Sequence, residues 1–297
     1  MKKIRLLIFV FALSITCTAQ TKQYVFATYT YSTNNRLQNL EPLTRFLSEK
    51  TGLNIKAVSY PTVQELINAI KNDSVDFAMM NTSGYLVLQR NNPGIAIPFI
   101  NLDMGSSSST NYGGCLVTTK NSGIKSIDDL ADNNKIYSLA LVNSSSTSGN
   151  LVPRLLLNAK NIPDAETAFA VNYSGTHRKV VEDVLNNKAT IGGCGCAEVD
   201  SARKNLSFDT KAIVIDSFNN IPLGPVIYHK KTDAPVVKKI ETHLLSLHHA
   251  NPDIFINFCN GWTEFKQAKQ FKKVSDRDYD AFRKLFGNNN KLWKMIE

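Results

Sequence analysis

From Tyr24 onward, short apolar runs alternate with amphipathic segments, and this alternation constrains the fold more than any other feature. Tyr24–Thr30, Leu53–Val58 and Val75–Met80 are rich in β-branched and aromatic residues and are predicted strands. Between the first two, Leu37, Leu40, Leu43 and Leu47 recur at helical spacing up to Gly52. Between the second and third, a Thr62–Glu65 capping box precedes Val63, Leu66, Ile67 and Ile70 on one helical face. A strand-helix-strand-helix period requires crossover connections, so it predicts an α/β fold whose mostly parallel sheets carry helices on both faces. The pattern continues through Ile95–Ile100, Gly114–Thr119, Ile136–Val142, Ala168–Asn172, Thr190–Gly193, Ala212–Asp216 and Val226–Tyr228. From Ala234 the chain turns helical, closing on an amphipathic segment with Tyr279, Phe282, Leu285 and Phe286. No low-complexity linker or close tandem repeat interrupts it.

Four strand-to-helix turns carry short polar side chains: Ser32/Thr33, Thr82/Ser83, Ser146/Thr147/Ser148 and Ser174/Thr176. The richest is Ser144–Gly149, between an apolar strand and a helix that tolerates Pro153 in its opening turn. A helix leaves its first N–H groups unpaired, and its dipole is positive there, so such a turn is a seat for an anion as well as a cap. Two of the turns precede residue 115 and two follow it. Ligands of open parallel sheets bind at the carboxyl ends of strands, so the expected picture is two doubly wound lobes facing each other across a ligand cleft. Lobe 1 is assigned residues 20–115 and 217–297, and lobe 2 residues 116–216. Hydroxyls and backbone N–H groups in that cleft suit a compact oxyanion. His177 opens a helix, where the dipole should lower its pKa and a bound anion raise it again. Tyr31 and Tyr85 are placed either over the ligand or in lobe packing. Gly105–Gly114 is expected to be a surface loop and is assigned no chemistry.

Met1-Lys2-Lys3-Ile4-Arg5 before an apolar run to Leu13 is the pattern of a signal peptide, too short for a spanning helix, with processing expected after Ala19. Acylation at Cys17 is the alternative, against which Ser14-Ile15-Thr16 is a poor match. Losing residues 1–19 removes three positive charges and no negative ones, taking the formal net charge from +9 to +6. This excess is spread thinly, with no basic block interleaved with aromatics, so nucleic acid is not an expected partner. Cys115, Cys194, Cys196 and Cys259 remain, too few for a disulfide scaffold, although an oxidising compartment permits one or two bridges. Cys194-Gly195-Cys196 lacks metal-site spacing and a nearby His, and reads as small buried residues at a strand end. No cofactor or metal is expected.

These motifs together resemble the PhnD-like phosphate/phosphite/phosphonate-binding proteins of ABC importers, which have the type II periplasmic-binding-protein architecture. The matching pieces are Ser146-Thr147-Ser148-Gly149 with Pro153, Tyr173-Ser174-Gly175-Thr176-His177, Asn81-Thr82-Ser83-Gly84-Tyr85 and Ser126-Ile127-Asp128-Asp129-Leu130, within about residues 24–230. The resemblance implies that Ser146, Thr147 and Ser148 cradle phosphoryl oxygens, that His177 donates from the same lobe, and that Tyr31 and Tyr85 contact the ligand from the other. It implies a periplasmic monomer that hands a phosphonate-, phosphite- or phosphate-like anion to an inner-membrane ABC permease, without catalysis. The family often has an acidic residue in an Ile-Pro-Asn-Asp-Pro-like segment; here Ile221-Pro222-Leu223-Gly224-Pro225 puts Gly224 in its place. Cys194 and Glu198 lie near where the family shapes its substituent pocket. Two other readings are a sensory module for the same anions, signalling through a separate protein, and a Ser/His hydrolase. The hydrolase reading lacks a G-x-S-x-G elbow and an evident carboxylate to orient His177.

Overall fold

The computed structural model describes residues 22–32, 34–105, 112–131, 136–162, 164–286 and 290–294. The signal segment 1–19 with Cys17, Thr33 and most of the 105–114 loop lie outside them. The strands are β1 (Gln23–Tyr29), β2 (Asn54–Tyr60), β3 (Phe77–Met79), β4 (Ala96–Asp103), β5 (Gly114–Thr119), β6 (Tyr137–Leu141), β7 (Phe169–Tyr173), β8 (Ile191–Gly195), β9 (Ala212–Phe218), β10 (Val226–His229) and β11 (Gln270–Lys273). They form two sheets, a six-stranded one in the order β11-β4-β10-β3-β1-β2 and a five-stranded one in the order β7-β6-β8-β5-β9.

Side-chain alternation along the strands explains why each sheet has a core on both faces. In β1, Tyr24 and Phe26 face one core while Ala27 and Tyr29 face the other; in β3, Phe77 and Met79 part from Ala78 in the same way. In the second sheet Leu139 and Leu141 separate from Ala140, and Leu116 from Cys115 and Val117. One core crosses the lobe boundary: Leu151, Val152 and Leu155, on the segment after the Ser-rich turn, pack with Val63, Tyr85 and Tyr279.

Both sheets are mixed. β2, β1, β3 and β4 run one way and β10 and β11 the other; in the second sheet only β5 opposes its neighbours. The reversals follow from chain exchange between the sheets. The chain leaves β4 to enter the second sheet as β5, and leaves β9 to return as β10, each newcomer inserting antiparallel to its neighbours. The two crossings touch, since Ile221 N–H donates to the Tyr112 carbonyl at 2.9 Å.

The expected helices form at Leu37–Thr51, Val63–Lys71, Thr82–Asn91, His177–Leu185 and Ala234–Ala250. The Thr62 capping box is present. After the Ser-rich turn a wide π-helical turn, Thr147–Leu151, leads into helix Val152–Ala159. The region after Ala234 is not all helical, because β11 adds to the sheet through pairing with β4. Gln270-Phe271-Lys272-Lys273 buries only Phe271, and lysines suit an edge strand, which explains its weak signature. Among the described residues no helix is long and apolar enough to cross a membrane.

Candidate ligand-binding site

A cavity of about 180 Å³ lies where the two sheets' turns meet. Lobe 2 supplies Asn143, Ser145, Ser146, Thr147 and His177 to its wall. From the β1 end of lobe 1 come Tyr29, Thr30, Tyr31, Asn34 and Arg36, joined by Asn81 and, from the first crossing, Tyr112. The segment after helix Pro252–Cys259 adds Asn260, Gly261, Thr263, Glu264 and Lys266.

The Ser-rich turn is held from behind. Ser146 Oγ accepts the Gly149 N–H at 3.1 Å, which caps the turn, and Val142 N–H donates to the Gly149 carbonyl at 3.0 Å. Asn150 donates to the Ser144 carbonyl at 2.7 Å and accepts from the buried Arg154 at 2.9 Å, while Arg154 forms a two-pronged ion pair with Glu166. These bonds leave the N–H groups of Thr147 and Ser148, in the first turn, without intrahelical acceptors. Gly149 permits the close packing. A Cβ there would sit 2.2 Å from Val142 Cγ2 and 2.9 Å from His177 Cε1.

The lobes touch through the same groups. Ser83 N–H donates to Thr147 Oγ1 at 3.0 Å, so the helix Thr82–Asn91 aims its positive end at the turn. Asn81 caps that helix through Gly84 N–H and donates to the Ser145 carbonyl at 2.7 Å. Tyr112 bonds the Thr147 and Ser148 hydroxyls, and burial raises its phenol pKa.

His177 accepts the Gly195 N–H on Nδ1 at 2.9 Å. The neutral ring therefore carries its proton on Nε2, the tautomer of a donor. Its pKa is lowered to about 4, and the cause is burial rather than the helix dipole anticipated from the sequence. Tyr31 stacks on it, ring centroids 6.1 Å apart, and the Tyr31 phenol oxygen bonds the His177 backbone; burial pushes that phenol up to about 12.

His177 has a consequence for stability. The unfolded residue titrates near its ordinary 6.5, so between there and about 4 the unfolded state holds a proton that the ligand-free folded state lacks. Stability should rise with pH through that window, with a slope of up to about 1.4 kcal/mol per pH unit from this residue. Urea denaturation of ligand-free wild type and His177→Gln from pH 4.5 to 7 isolates the contribution as the difference between the profiles. Parallel profiles would contradict it.

Arg36 sits in the left-handed region at φ 60°. Its Nε donates to the Gly261 carbonyl at 2.8 Å and Nη1 to the Tyr29 carbonyl at 3.3 Å, and its guanidinium lies 4.5 Å from the Tyr29 ring and 4.7 Å from that of Trp262. It is a buried, fixed positive charge in the wall. Glu264 lines the same wall, and burial raises its carboxyl pKa, offset in part by Arg36.

Of the residues singled out in the sequence, Tyr31, Ser146, Thr147 and His177 line the cavity. Ser148 is buried one step behind it, against Tyr112. Thr82 turns to the second crossing and donates to the Pro222 carbonyl at 2.5 Å. Ser32 occupies the tip of the Tyr31–Asn34 turn in a left-handed conformation, off the cavity wall. Tyr85 is likewise off the wall: its helix points it into lobe 1, where its hydroxyl donates to Asp276 at 2.6 Å and its ring packs 4.7 Å from Tyr279. Cys194 is a buried thiol, and Cys196 is bonded to Cys115, one of the bridges the sequence left open. Arg36, Tyr112, Glu264 and Lys266 went unnoticed in the sequence because no motif surrounds them. Among the described residues no cluster of His, Cys, Asp and Glu is arranged to hold a metal.

Known proteins share this construction. Residues 26–279 match the family model described as the periplasmic phosphonate substrate-binding protein of ABC transporters. The phosphonates-binding periplasmic protein of Escherichia coli (strain K12) is 24% identical over 256 residues, covering 84% of this chain and 74% of that protein. Among solved structures, a binding-protein component of an ABC phosphonate transporter from Pseudomonas aeruginosa superposes with a TM-score of 0.70 at 20% identity, over 92% of this chain and 88% of that one. PhnD1 from Prochlorococcus marinus, solved in complex with methylphosphonate, gives 0.71 at 15% identity, over 91% and 99%. The likenesses to solved structures carry the fold, of the type II periplasmic-binding kind, and the family match spans most of both lobes. The chain belongs to the periplasmic phosphonate substrate-binding proteins of ABC transporters.

Proposed function

We propose that this protein captures a phosphonate or a related tetrahedral oxyanion between its lobes and presents it to an ABC permease in the inner membrane. The observation that carries this reading is the convergence of donors on one wall. The first-turn N–H groups after Ser146, the Ser146 and Thr147 hydroxyls and the His177 Nε2 hydrogen belong to one cavity. Neutral donors of this kind hold an oxyanion without requiring an ionised partner. The Nδ1 atom of His177 accepts a backbone N–H and so cannot donate to an orienting carboxylate, which favours binding over Ser/His hydrolysis.

In this reading residues 20–115 with 217–297 form one lobe and 116–216 the other, acting as a monomer. The crossings joined by Ile221 and Tyr112 serve as the hinge. Ser146, Thr147 and His177 hold the phosphoryl group, Ser148 supports it through Tyr112, and Tyr31 closes over His177. Ser32, Thr82 and Tyr85 contribute through the packing of lobe 1 rather than through direct contact.

Calorimetric titration with methylphosphonate, phosphite and phosphate tests the reading. Thr147→Val and His177→Ala should each weaken the best ligand by about 1.5–3 kcal/mol, tenfold or more in Kd. Absence of heat with all three anions, or unchanged affinity in both variants, would overturn it.

A further inference from the structure

One wall of the cavity carries a buried positive charge that no bonded neighbour balances. Arg36 precedes helix Leu37–Thr51 and is only 4% exposed, yet it lines the cavity beside Tyr31 and Asn34. The groups bonded to it are neutral. Nε and Nη1 donate to the Gly261 and Tyr29 carbonyls, and the rings of Tyr29, Tyr31 and Trp262 lie 4.5, 5.5 and 4.7 Å from its guanidinium. Among the described residues no carboxylate forms an ion pair with it, and the first turn of its helix has no acidic residue.

This charge cannot be withdrawn. Arginine has no neutral form at working pH, and its backbone is pinned in the left-handed region, where its N–H donates to Asn34 Oδ1 at 2.8 Å. Glu264 is half-buried in the same wall and makes no ion pair with Arg36, while Lys266, of opposite sign, stands two residues further on. The facing wall holds only neutral donors, and Gly224 brings no carboxylate to accept a proton from a ligand oxygen. Tyr31 joins the two walls. Its ring centroid lies 5.5 Å from the guanidinium and 6.1 Å from the His177 ring, so charge and anion seat are no further apart than those two steps.

A buried cation without a counter-ion is costly, and an anion entering the cavity supplies one. At about 10 Å and an effective dielectric of about 20, each unit of ligand charge changes affinity roughly tenfold. Neutral donors serve a singly charged tetrahedral anion nearly as well as a doubly charged one, whereas the attraction of Arg36 doubles with the ligand's charge. We propose that Arg36 is the specificity-determining residue for ligand charge, matching the cavity to doubly ionised tetrahedral anions over singly charged ones such as sulfonates. This rests on the phosphonate-binding reading above and adds the charge state that the site selects.

The test is a calorimetric titration at about pH 9 with methylphosphonate, there a dianion, and methanesulfonate, a monoanion of the same shape. At that pH His177 and the buried phenols of Tyr29, Tyr31 and Tyr112 are neutral, so Glu264, Lys266 and Arg36 are the charged groups on the cavity wall. Wild type should prefer methylphosphonate by about a hundredfold or more, and Arg36→Gln should reduce that preference about tenfold, with the larger loss on the dianion. Arg36→Lys, which keeps the charge, should retain most of it. Arg36→Gly removes the same charge and suits the left-handed backbone, so it serves where Arg36→Gln does not fold. A wild type that binds the two anions within about threefold of each other, or a preference unchanged in a folded variant without the charge, overturns the assignment while leaving the phosphonate reading intact. Equal losses for both anions in every variant, Arg36→Lys included, would mark a merely structural residue and also overturn it. If wild type binds neither methylphosphonate nor phosphite nor phosphate, the phosphonate reading fails, and the assignment with it.

Discussion

Aspartate at position 224, the residue type the resemblance leads one to expect, should weaken ligand binding severely rather than restore an acidic wall. The conflict begins at Cβ, which would lie 2.0 Å from the Met80 carbonyl oxygen and within 2.9 Å of two Asn81 backbone atoms. These are backbone atoms at the end of β3, with no rotamer to escape into. The crossing cannot retreat either. Pro222 O accepts from Thr82, and Leu223 O from both Asn101 and Tyr279, the latter two at 2.9 Å. Overpacking costs about 1–3 kcal/mol, occasionally more, and a backbone-on-backbone clash belongs at the top of that range. Displacing Asn81 also disturbs its bond to Ser145 and the Ser83–Thr147 contact, the links that bring the two lobes to the anion wall. The expected result is a loss of about 3 kcal/mol in urea denaturation and a drop in affinity of about a hundredfold or more. Gly224→Ala should show most of the stability loss, since it already places the offending atom. A stable, ligand-competent Gly224→Ala protein would show that the second crossing moves more freely than its hydrogen bonds indicate.

Removing the Cys115–Cys196 disulfide should lower the unfolding free energy by about 4 kcal/mol. The bond links residues 81 apart in sequence, and tethering a loop of that length restricts the unfolded chain by roughly that amount. It joins the start of β5 to the start of helix Cys196–Asn205, beside the place where Cys196 N–H donates to the Gly113 carbonyl at 3.0 Å. An oxidising periplasm keeps such a bond closed. Neither cysteine lines the cavity, so a Cys115→Ala/Cys196→Ala protein that still folds should bind its ligand within about threefold of wild type. Cys194, on β8, lies directly opposite Cys115 on β5, but it is fully buried and its thiol is pushed up to about 12. It has little thiolate for exchange. Cys194→Ala should therefore leave the disulfide intact, at the modest cost of a small buried cavity. A double variant that loses less than 1 kcal/mol would show that the bond constrains little in the unfolded chain.

The residues whose placement was legible in the sequence are those whose chemistry is local. The Thr62 box and the cap of the Ser-rich turn each act over three residues, and each is present; the Asn81 and Thr176 caps found in the structure work over the same span, inside turns the sequence marked only as polar. His177 at a helix start was visible for the same reason. Tyr85 shows the limit. It follows the Asn81 cap closely enough to suggest the cleft, yet the rotation of its helix turns it toward Asp276 and Tyr279, and only the packing of residues from the end of the chain decides that. Strand β11 left almost no trace, since an edge strand with one buried residue has no alternation to read.

By itself, the sequence determined the α/β alternation, the turns that expose helix N-termini, and therefore the kind of ligand such turns can hold. Propensity, periodicity and capping operate within a few residues, so they leave their mark on the chain directly. The tertiary structure alone decided which turns meet, which cysteines pair, and how Arg36 comes to rest against Gly261 and Glu264 to enter the same wall. Those contacts join residues far apart in the chain, 64 apart for Ser83 and Thr147, 81 for the paired cysteines and 225 for Arg36 and Gly261. Nothing local favours them, because their free energy is realised only when two independently packed sheets bring the segments to a common cavity.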